Sequence, residues 1–314
     1  MNGLSDAALR HLREVADLPD LSGTPYEVVE TLGRGGMGTV YRALDHRLDR
    51  EVALKVVQIS EVADGDVDRL LREARVLARL EHPGIVPVHD AGRLPDGRAF
   101  YAMKRVRGRR LDEHARTVSL PERLRAFQRI CEAVAFAHAH GVIHRDLKPE
   151  NVMVGPFGEV LVMDWGVAKV TGLPPVPAGE EGRGGEGTAH GTILGTPGYM
   201  APEQERGEVD RIDERTDVWA LGAILRFLLG NEEPPRPLEA IRRRAMAEEP
   251  EGRYPKVEDL AADLSRYLAG LPVGAHREGI LERAGRFTRR HRTPILLILA
   301  YLVMRVILIL VFRR

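Results

Sequence analysis

The sequence predicts an α+β chain made of two lobes of unlike class, followed by a separate apolar helix. Three observations carry this reading. The first third reads as strands, the stretch from Pro121 onward is mainly helical, and Ile295 to Phe312 is almost wholly apolar. Tyr26 to Ile59 carries the β-branched pairs Val28-Val29 and Val56-Val57, broken by a glycine cluster and by Asp45 to Arg50. Asp66 to Leu80 switches to helical period, with Val67, Leu70, Leu71, Ala74 and Leu77 on one stripe. Short strands are expected around Val86 to Ala91 and Ala99 to Val106. Thr171 to His190, rich in Gly, Pro and Glu, has no apolar periodicity and reads as a loop. No internal repeat is found.

The division that follows is a helical extension over 1–25, a small lobe over 26–106 and a larger lobe over 107–270. A basic linker over 271–294 then leads into the apolar run 295–312. The extension has Leu4 to Leu18 as a short amphipathic helix capped by Ser5 or Asp6, and its acidic residues exclude a secretory leader. Apolar residues make up 44% and charged residues 29%, and the net charge is zero, so no global field points to nucleic acid. The single cysteine, Cys131, lies on the stripe Phe127, Ile130, Cys131 and Val134 and is read as a small buried apolar residue.

The C-terminal run is eighteen residues, apolar except for Tyr301 and Arg305. As a helix it would be about 27 Å long, close to the thickness of a bilayer's hydrocarbon core. Its fourteen Leu, Ile, Val and Phe residues favour insertion by roughly 4–8 kcal/mol. Arg305, near the centre, opposes that by about 3 kcal/mol. Insertion therefore wins narrowly over a core or interfacial helix. Arg283, Arg286, Arg289, Arg290 and Arg292 precede the run, which by the positive-inside bias keeps its N-terminal side cytoplasmic. The expectation is a single-pass protein of the cell membrane with its lobes in the cytoplasm.

Two motifs point to phosphate chemistry. In Gly33-Arg34-Gly35-Gly36-Met37-Gly38-Thr39-Val40, glycines at these spacings let backbone N–H groups approach phosphate oxygens. A dinucleotide-binding turn should open a helix, whereas Thr39-Val40-Tyr41 continues as a strand. Val52-Ala53-Leu54-Lys55 is a strand ending in a lysine, and Glu73 lies on the helix that follows. A Lys55–Glu73 pair would hold the ammonium over the α- and β-phosphates.

A third motif, His144-Arg145-Asp146-Leu147-Lys148-Pro149-Glu150-Asn151, is followed by Asp164-Trp165-Gly166 and by Ala201-Pro202-Glu203. The set, in this order, resembles a eukaryotic-type (Hanks-type) serine/threonine protein kinase over Tyr26 to about Gly270, in wording most like the bacterial membrane-associated enzymes. The resemblance implies a bilobal kinase fold, ATP and Mg²⁺ (or Mn²⁺), and transfer of the γ-phosphoryl group to protein hydroxyls, with autophosphorylation and membrane-linked signalling. It implies that Asp146 accepts the substrate hydroxyl proton, that Lys148 neutralises charge on the transferring group, and that Lys55 and Glu73 support the phosphates. Asn151 and Asp164 would supply hard oxygen ligands to the metal. The nucleotide would lie between Leu32, the glycine-rich segment, Val40, Ala53 and Met153, with Met103 as gatekeeper and Lys104 to Val106 as hinge. Lys148 with Gly195-Thr196-Pro197-Gly198-Tyr199-Met200 matches the form that accepts serine or threonine. Asp217 resembles the residue that caps the catalytic loop, and Arg253 the one that pairs with Glu203.

Three departures stand out. Trp165 replaces the usual Phe of the metal-binding motif. Asn231 to Pro237 bypasses the loop and helix that normally follow the central helix, so Gly230 to Arg253 is short and apolar surface is exposed unless something covers it. The loop from Asp164 to Glu203 is long, with Thr171, Thr188 and Thr192 as candidate phosphorylation sites whose phosphate would pair with Arg145. The shortened segment leaves a pseudokinase that binds nucleotide or scaffolds as one alternative, and a small-molecule kinase, which can share the catalytic Asp and Asn, as a second.

Overall fold

The computed structural model describes residues 18–35, 38–57, 71, 74–165, 169–170, 196–231, 233–279, 283 and 292–312. The helix read over Leu4 to Leu18 and the candidate phosphorylation sites Thr171, Thr188 and Thr192 lie outside them. In the small lobe, β1 (Tyr26–Gly35), β2 (Gly38–Asp45), β3 (Arg50–Val56), β4 (Val88–Arg93) and β5 (Ala99–Lys104) form one antiparallel sheet, ordered β1-β2-β3-β5-β4. Side chains alternate across a strand, so register decides which residues share a face. Tyr41 lies opposite Leu54, Ala43 opposite Val52, and Leu54 opposite Ala102. These residues, with Tyr26, Val56, Leu94 and Phe100, make the lobe's own core. The other face carries Val40 opposite Lys55, Ala53 opposite Met103, and Lys55 opposite Tyr101. Residues 74–77 of the expected helix over Asp66 to Leu80 are helical, with Ala74 and Leu77 buried.

In the large lobe, a three-stranded sheet orders β6 (Arg109–Arg110), β8 (Val152–Val154) and β9 (Val160–Val162). The two-residue strand β7 (Val142–Ile143) pairs antiparallel with β10 (Lys169–Val170). The short α1 (Leu111–His114) leads to α2 (Leu120–Ala139), whose first turn holds Pro121. The Glu122 carboxylate accepts from the Ser119 N–H at 2.9 Å and from its hydroxyl at 2.6 Å, which fixes where the helix starts. Leu124, Phe127, Ile130, Cys131, Val134 and Ala137 follow at helical spacing and are buried. Burial pushes the Cys131 thiol well above its usual pKa, in keeping with an inert apolar residue.

The turn α3 (Pro202–Glu205) precedes the central helix α4 (Glu214–Leu229), whose Asp213 cap accepts from the Arg215 N–H at 2.7 Å. Beyond it come α5 (Arg236–Ala245) and α6 (Val257–Leu268). The apolar surface beside the short segment after Gly230, which needed a cover, has one. Leu238, Ile241 and Ala245 of α5 are fully buried in the core shared with Leu221, Ile224 and Leu228 of α4 and Leu260 and Leu264 of α6. Gly222 makes the close approach of α5 to α4 workable, since a Cβ there would stand 2.6 Å from Met246 Cγ. The lobe's packed body runs on to Ala275: Asp263 accepts from the Gly274 N–H at 2.7 Å and the Ala275 N–H at 2.9 Å, and Val273 is buried.

A final helix, α7 (Arg292–Phe312), forms where the apolar run predicts one. Among the described residues no helix is long and apolar enough to cross a membrane. The transmembrane helix read from the sequence is therefore not carried by the structure.

One buried ion pair ties α3 to the end of the lobe. Arg253 and Glu203 form a two-pronged bridge, 2.7 Å on each prong, with both side chains excluded from solvent. The guanidinium also donates to the carbonyls of Ala247, Arg215 and Glu248, and Thr216 donates to Glu203. Replacing only one partner strands the other charge in the core. Arg253→Met should lower the unfolding free energy by about 3–5 kcal/mol, read from the denaturant midpoint; a loss below about 1 kcal/mol would show the pair to be dispensable.

Candidate active site

The segment between β7 and β8 carries most of the candidate chemistry, and α4 holds it from below. Asp217, fully buried in the first turn of α4, accepts from the N–H of His144 and of Arg145, each at 2.8 Å. His138, near the end of α2, contacts the same carboxylate at 2.7 Å. Burial pushes the Asp217 carboxyl up, but His138 and the His144 backbone outweigh it and leave its pKa below the usual carboxylate range. Arg145 has a positive φ of 69°, a left-handed conformation that costs a non-glycine residue about 1–3 kcal/mol. The Asp217 contact and a 2.9 Å bond from Gln204 Nε2 to the Arg145 carbonyl hold it there.

This turn presents Asp146. One of its carboxylate oxygens lies 2.9 Å from Lys148 Nζ, and the other accepts from the Thr196 hydroxyl at 3.1 Å. Lys148 also donates to that hydroxyl at 2.6 Å, closing a triangle of three side chains. Asn151 donates to the Asp146 carbonyl at 2.8 Å and to its carboxylate at 3.2 Å, which leaves the amide oxygen to point elsewhere. His144 accepts from the Asp146 N–H through Nδ1 and donates through Nε2 to the Met163 carbonyl at 3.0 Å. Its ring lies 4.5 Å from that of Trp165, tilted by 50°, and the indole is buried and donates to the Val162 carbonyl. The indole thus fills the site of the usual phenylalanine and uses its extra N–H on the end of β9.

Asp164, also at positive φ (58°), turns its carboxylate onto Lys55 of β3. Lys55 is buried and its ammonium lies 5.8 Å from the centre of the Tyr101 ring. Burial opposes its charge, and Tyr101 with Asp164 outweighs burial, so its pKa is raised. The expected Lys55–Glu73 pair falls outside the described residues, because Glu73 does. Gly36, Met37 and Gly166 lie outside as well. Val40, Ala53 and Met103 share one face of the small-lobe sheet with Lys55 and are at least half-buried, whereas Leu32, Gly33, Arg34 and Gly35 are exposed on β1. Among the described glycines of the glycine-rich segment, Gly38 alone is demanded by packing: its φ is 139° and a Cβ would stand 2.2 Å from the Val56 carbonyl oxygen. Gly33 and Gly35 face open space, which leaves their backbone approachable from outside.

The residues fit a divalent cation. The Asn151 amide oxygen and the Asp164 carboxylate are hard donors, and Mg²⁺ takes few protein oxygens when phosphate and water complete its shell. Among the described residues no cluster of three His, Cys, Asp or Glu side chains is present, so no all-protein cage competes with this pair.

A protein kinase domain model matches residues 26–262. The chain belongs to the protein kinase family. It is similar to the serine/threonine-protein kinase PknD of Protochlamydia amoebophila, 32% identical over 78% of this chain and 30% of the relative. PknD of Chlamydia muridarum is 34% identical over 87% of this chain and 34% of its own length. The chain spans about a third of these curated relatives. Among solved structures, the Mycobacterium tuberculosis PknI kinase domain aligns with a TM-score of 0.60 at 27% identity, covering 79% of this chain and 98% of that domain. The bilobal kinase fold and the family resemblance read from the motifs are borne out.

Two parts of the kinase site had no signal in the sequence. Gln204 braces Arg145 across 59 residues, and His138 braces Asp217 across 79. Glu51 on β3 gathers Arg107, Arg105 and Arg42, which hold its carboxyl down at about 2 and tie the strand to β2, to the hinge and to the segment just beyond it.

His138 supplies a pH test. Burial pushes its pKa down, but Asp217 outweighs burial and leaves it raised above 6.5. A raised folded value means that the charged form's stabilisation is complete below the unfolded value and is lost as pH rises through the folded one. The stability gap between wild type and His138→Gln should be widest below pH 6.5 and narrow in alkali, read from denaturant midpoints across pH. A gap that widens with pH would reverse the assignment.

Proposed function

We propose that this chain is a serine/threonine protein kinase that transfers the γ-phosphoryl group of ATP to hydroxyls of proteins, itself included. The observation that carries the reading is the triangle of Asp146, Lys148 and Thr196, a carboxylate held by a cation and a hydroxyl at the mouth of the site. In this reading Asp146 takes the proton of the attacking hydroxyl as the new O–P bond forms and the bond to the β-phosphate oxygen breaks. Lys148 meets the charge that develops on the transferring group. Lys55 holds the phosphates from the sheet, and Asn151 and Asp164 hold the metal. Mg²⁺, when bound, neutralises phosphate charge. The adenine lies against Val40, Ala53, Met103 and Met153, with the backbone from Lys104 to Val106 beside it.

Support for an active enzyme over a pseudokinase comes from α5. The shortened segment was the ground for that alternative, and Leu238 and Ile241 fill the space it was thought to leave open. The similarity to kinases named for serine and threonine argues against a small-molecule acceptor. The test is labelled ATP with Mg²⁺ and a generic protein acceptor, beside Asp146→Asn. Label should appear on serine or threonine with wild type and fall by about 10²–10⁴-fold in the variant. Equal labelling, or none from either, would overturn the reading.

We also propose that α7 spans the cell membrane once, with the kinase domain cytoplasmic and acting in membrane-linked signalling. Leu296 to Leu299 and Tyr301 to Met304 are exposed in succession, so among the described residues no face of this stretch is packed on the domain. A helix apolar all round needs either a core or a bilayer. The arginines from 283 to 292 support the orientation. After a carbonate wash the full chain should stay in the membrane pellet; release into the supernatant would reject the span.

A further inference from the structure

Behind the hinge, where β6 meets α2, lies a cavity of about 630 Å³ that the phosphoryl-transfer chemistry does not use. Its floor is apolar: Ala126 of α2 with Val154 and Val160, which pair across β8 and β9. Its wall is basic, with Arg107, Arg109, Arg125 and Arg129 set against the single carboxylate of Glu122. That carboxylate is already engaged by Ser119 at the start of α2. Arg129 donates to the Gly158 carbonyl, and Arg107 to Glu51 at 3.0 Å. Among the described residues, the side chains of Arg109 and Arg125 make no hydrogen bond or ion pair. The same excess of positive charge reaches His114 on the rim, where burial and then Arg109 hold the imidazole below its usual pKa.

The turn between β8 and β9 forms one lip, and at its tip Phe157 is 95% exposed. A phenylalanine so open, beside a basic hollow with an apolar floor, is a ready anchor for a partner's apolar side chain. Strand alternation separates this place from the nucleotide. Val154 and Val160 face the cavity, so their neighbours Met153 and Leu161 face the other side of the sheet. Met153 is the residue assigned to the adenine slot, and an occupant behind β8 would leave that slot open.

We propose that this cavity is a docking site for an acidic segment of the protein substrate, a run of Glu and Asp around one apolar residue. The carboxylates meet Arg109 and Arg125, and the apolar residue packs on Phe157 and the valine floor. The proposal rests on the kinase reading for its role, but not for its binding. A tethered segment raises the local concentration of the acceptor hydroxyl, so it lowers KM and leaves kcat alone.

The experiment has two arms, both on the full chain. In the first, a fluorescein-labelled peptide of Glu and Asp around one Leu is titrated with protein, and anisotropy is followed beside a Gln/Asn analogue and inorganic phosphate. Binding is expected for the acidic peptide only, lost in Arg109→Glu with Arg125→Glu and weakened in Phe157→Ala. In the second, a short serine peptide is compared with the same peptide extended by that acidic segment. The extension should lower KM about tenfold in wild type, and the paired charge reversals should abolish the gain while the short peptide's kinetics stay unchanged. Equal binding by the neutral analogue, binding retained by the charge reversals, or displacement by inorganic phosphate at peptide concentration would overturn the docking site. A short peptide that is never phosphorylated, beside normal acidic binding, would overturn the kinase reading and leave the docking site standing.

Discussion

The catalytic loop is held in place by one buried carboxylate. Asp217 lies at the start of the central helix, out of reach of water, and three groups converge on it: the N–H of His144, the N–H of Arg145 and the His138 imidazole. A carboxylate so buried is costly unless each oxygen is satisfied, and here both are. The consequence reaches the chemistry directly. With His144 and Arg145 pinned, the chain must turn through a left-handed residue, and that turn aims Asp146 at Lys148 and Thr196.

The substrate side of the site depends on a second buried charge. Glu203 is fixed by Arg253 and Thr216, and the next residue, Gln204, reaches back to the Arg145 carbonyl. The segment that carries Thr196 is thereby tied both to the far end of the lobe and to the catalytic turn. Hydrogen bonds rather than long apolar side chains make these ties, which suits a site whose parts must keep fixed directions. The apolar work is done elsewhere, by α2, α4, α5 and α6, which close a single core around them.

The small lobe solves a different problem. Its sheet must bury one face on itself while the other keeps Lys55 and the residues proposed to hold the nucleotide open. The alternation along β3 does both: Val52, Leu54 and Val56 face the core, whereas Ala53 and Lys55 face Met103 and Tyr101. Glu51, one step further along that second face, binds Arg105 and Arg107 and so sets the strand against the segment that leaves for the large lobe.

Much of the kinase was legible in one dimension because its chemistry is written in short runs. The order of the glycine-rich segment, Lys55, the run from His144 to Asn151, and Asp164 sufficed to name the family, and period-2 and period-3.6 patterning gave the lobes. Those signals are local, set by backbone geometry within a few residues. Contacts across 59 or 79 residues leave no such trace, which is why Gln204 and His138 were silent in the sequence. The short segment after Gly230 left open for the same reason whether anything covers the apolar surface beside it: only packing could reveal that Leu238 and Ile241 do. The sequence by itself determined which groups are candidates for the chemistry. The tertiary structure alone decided which buried charges aim them, because that depends on what the folded chain brings together in a space closed to water.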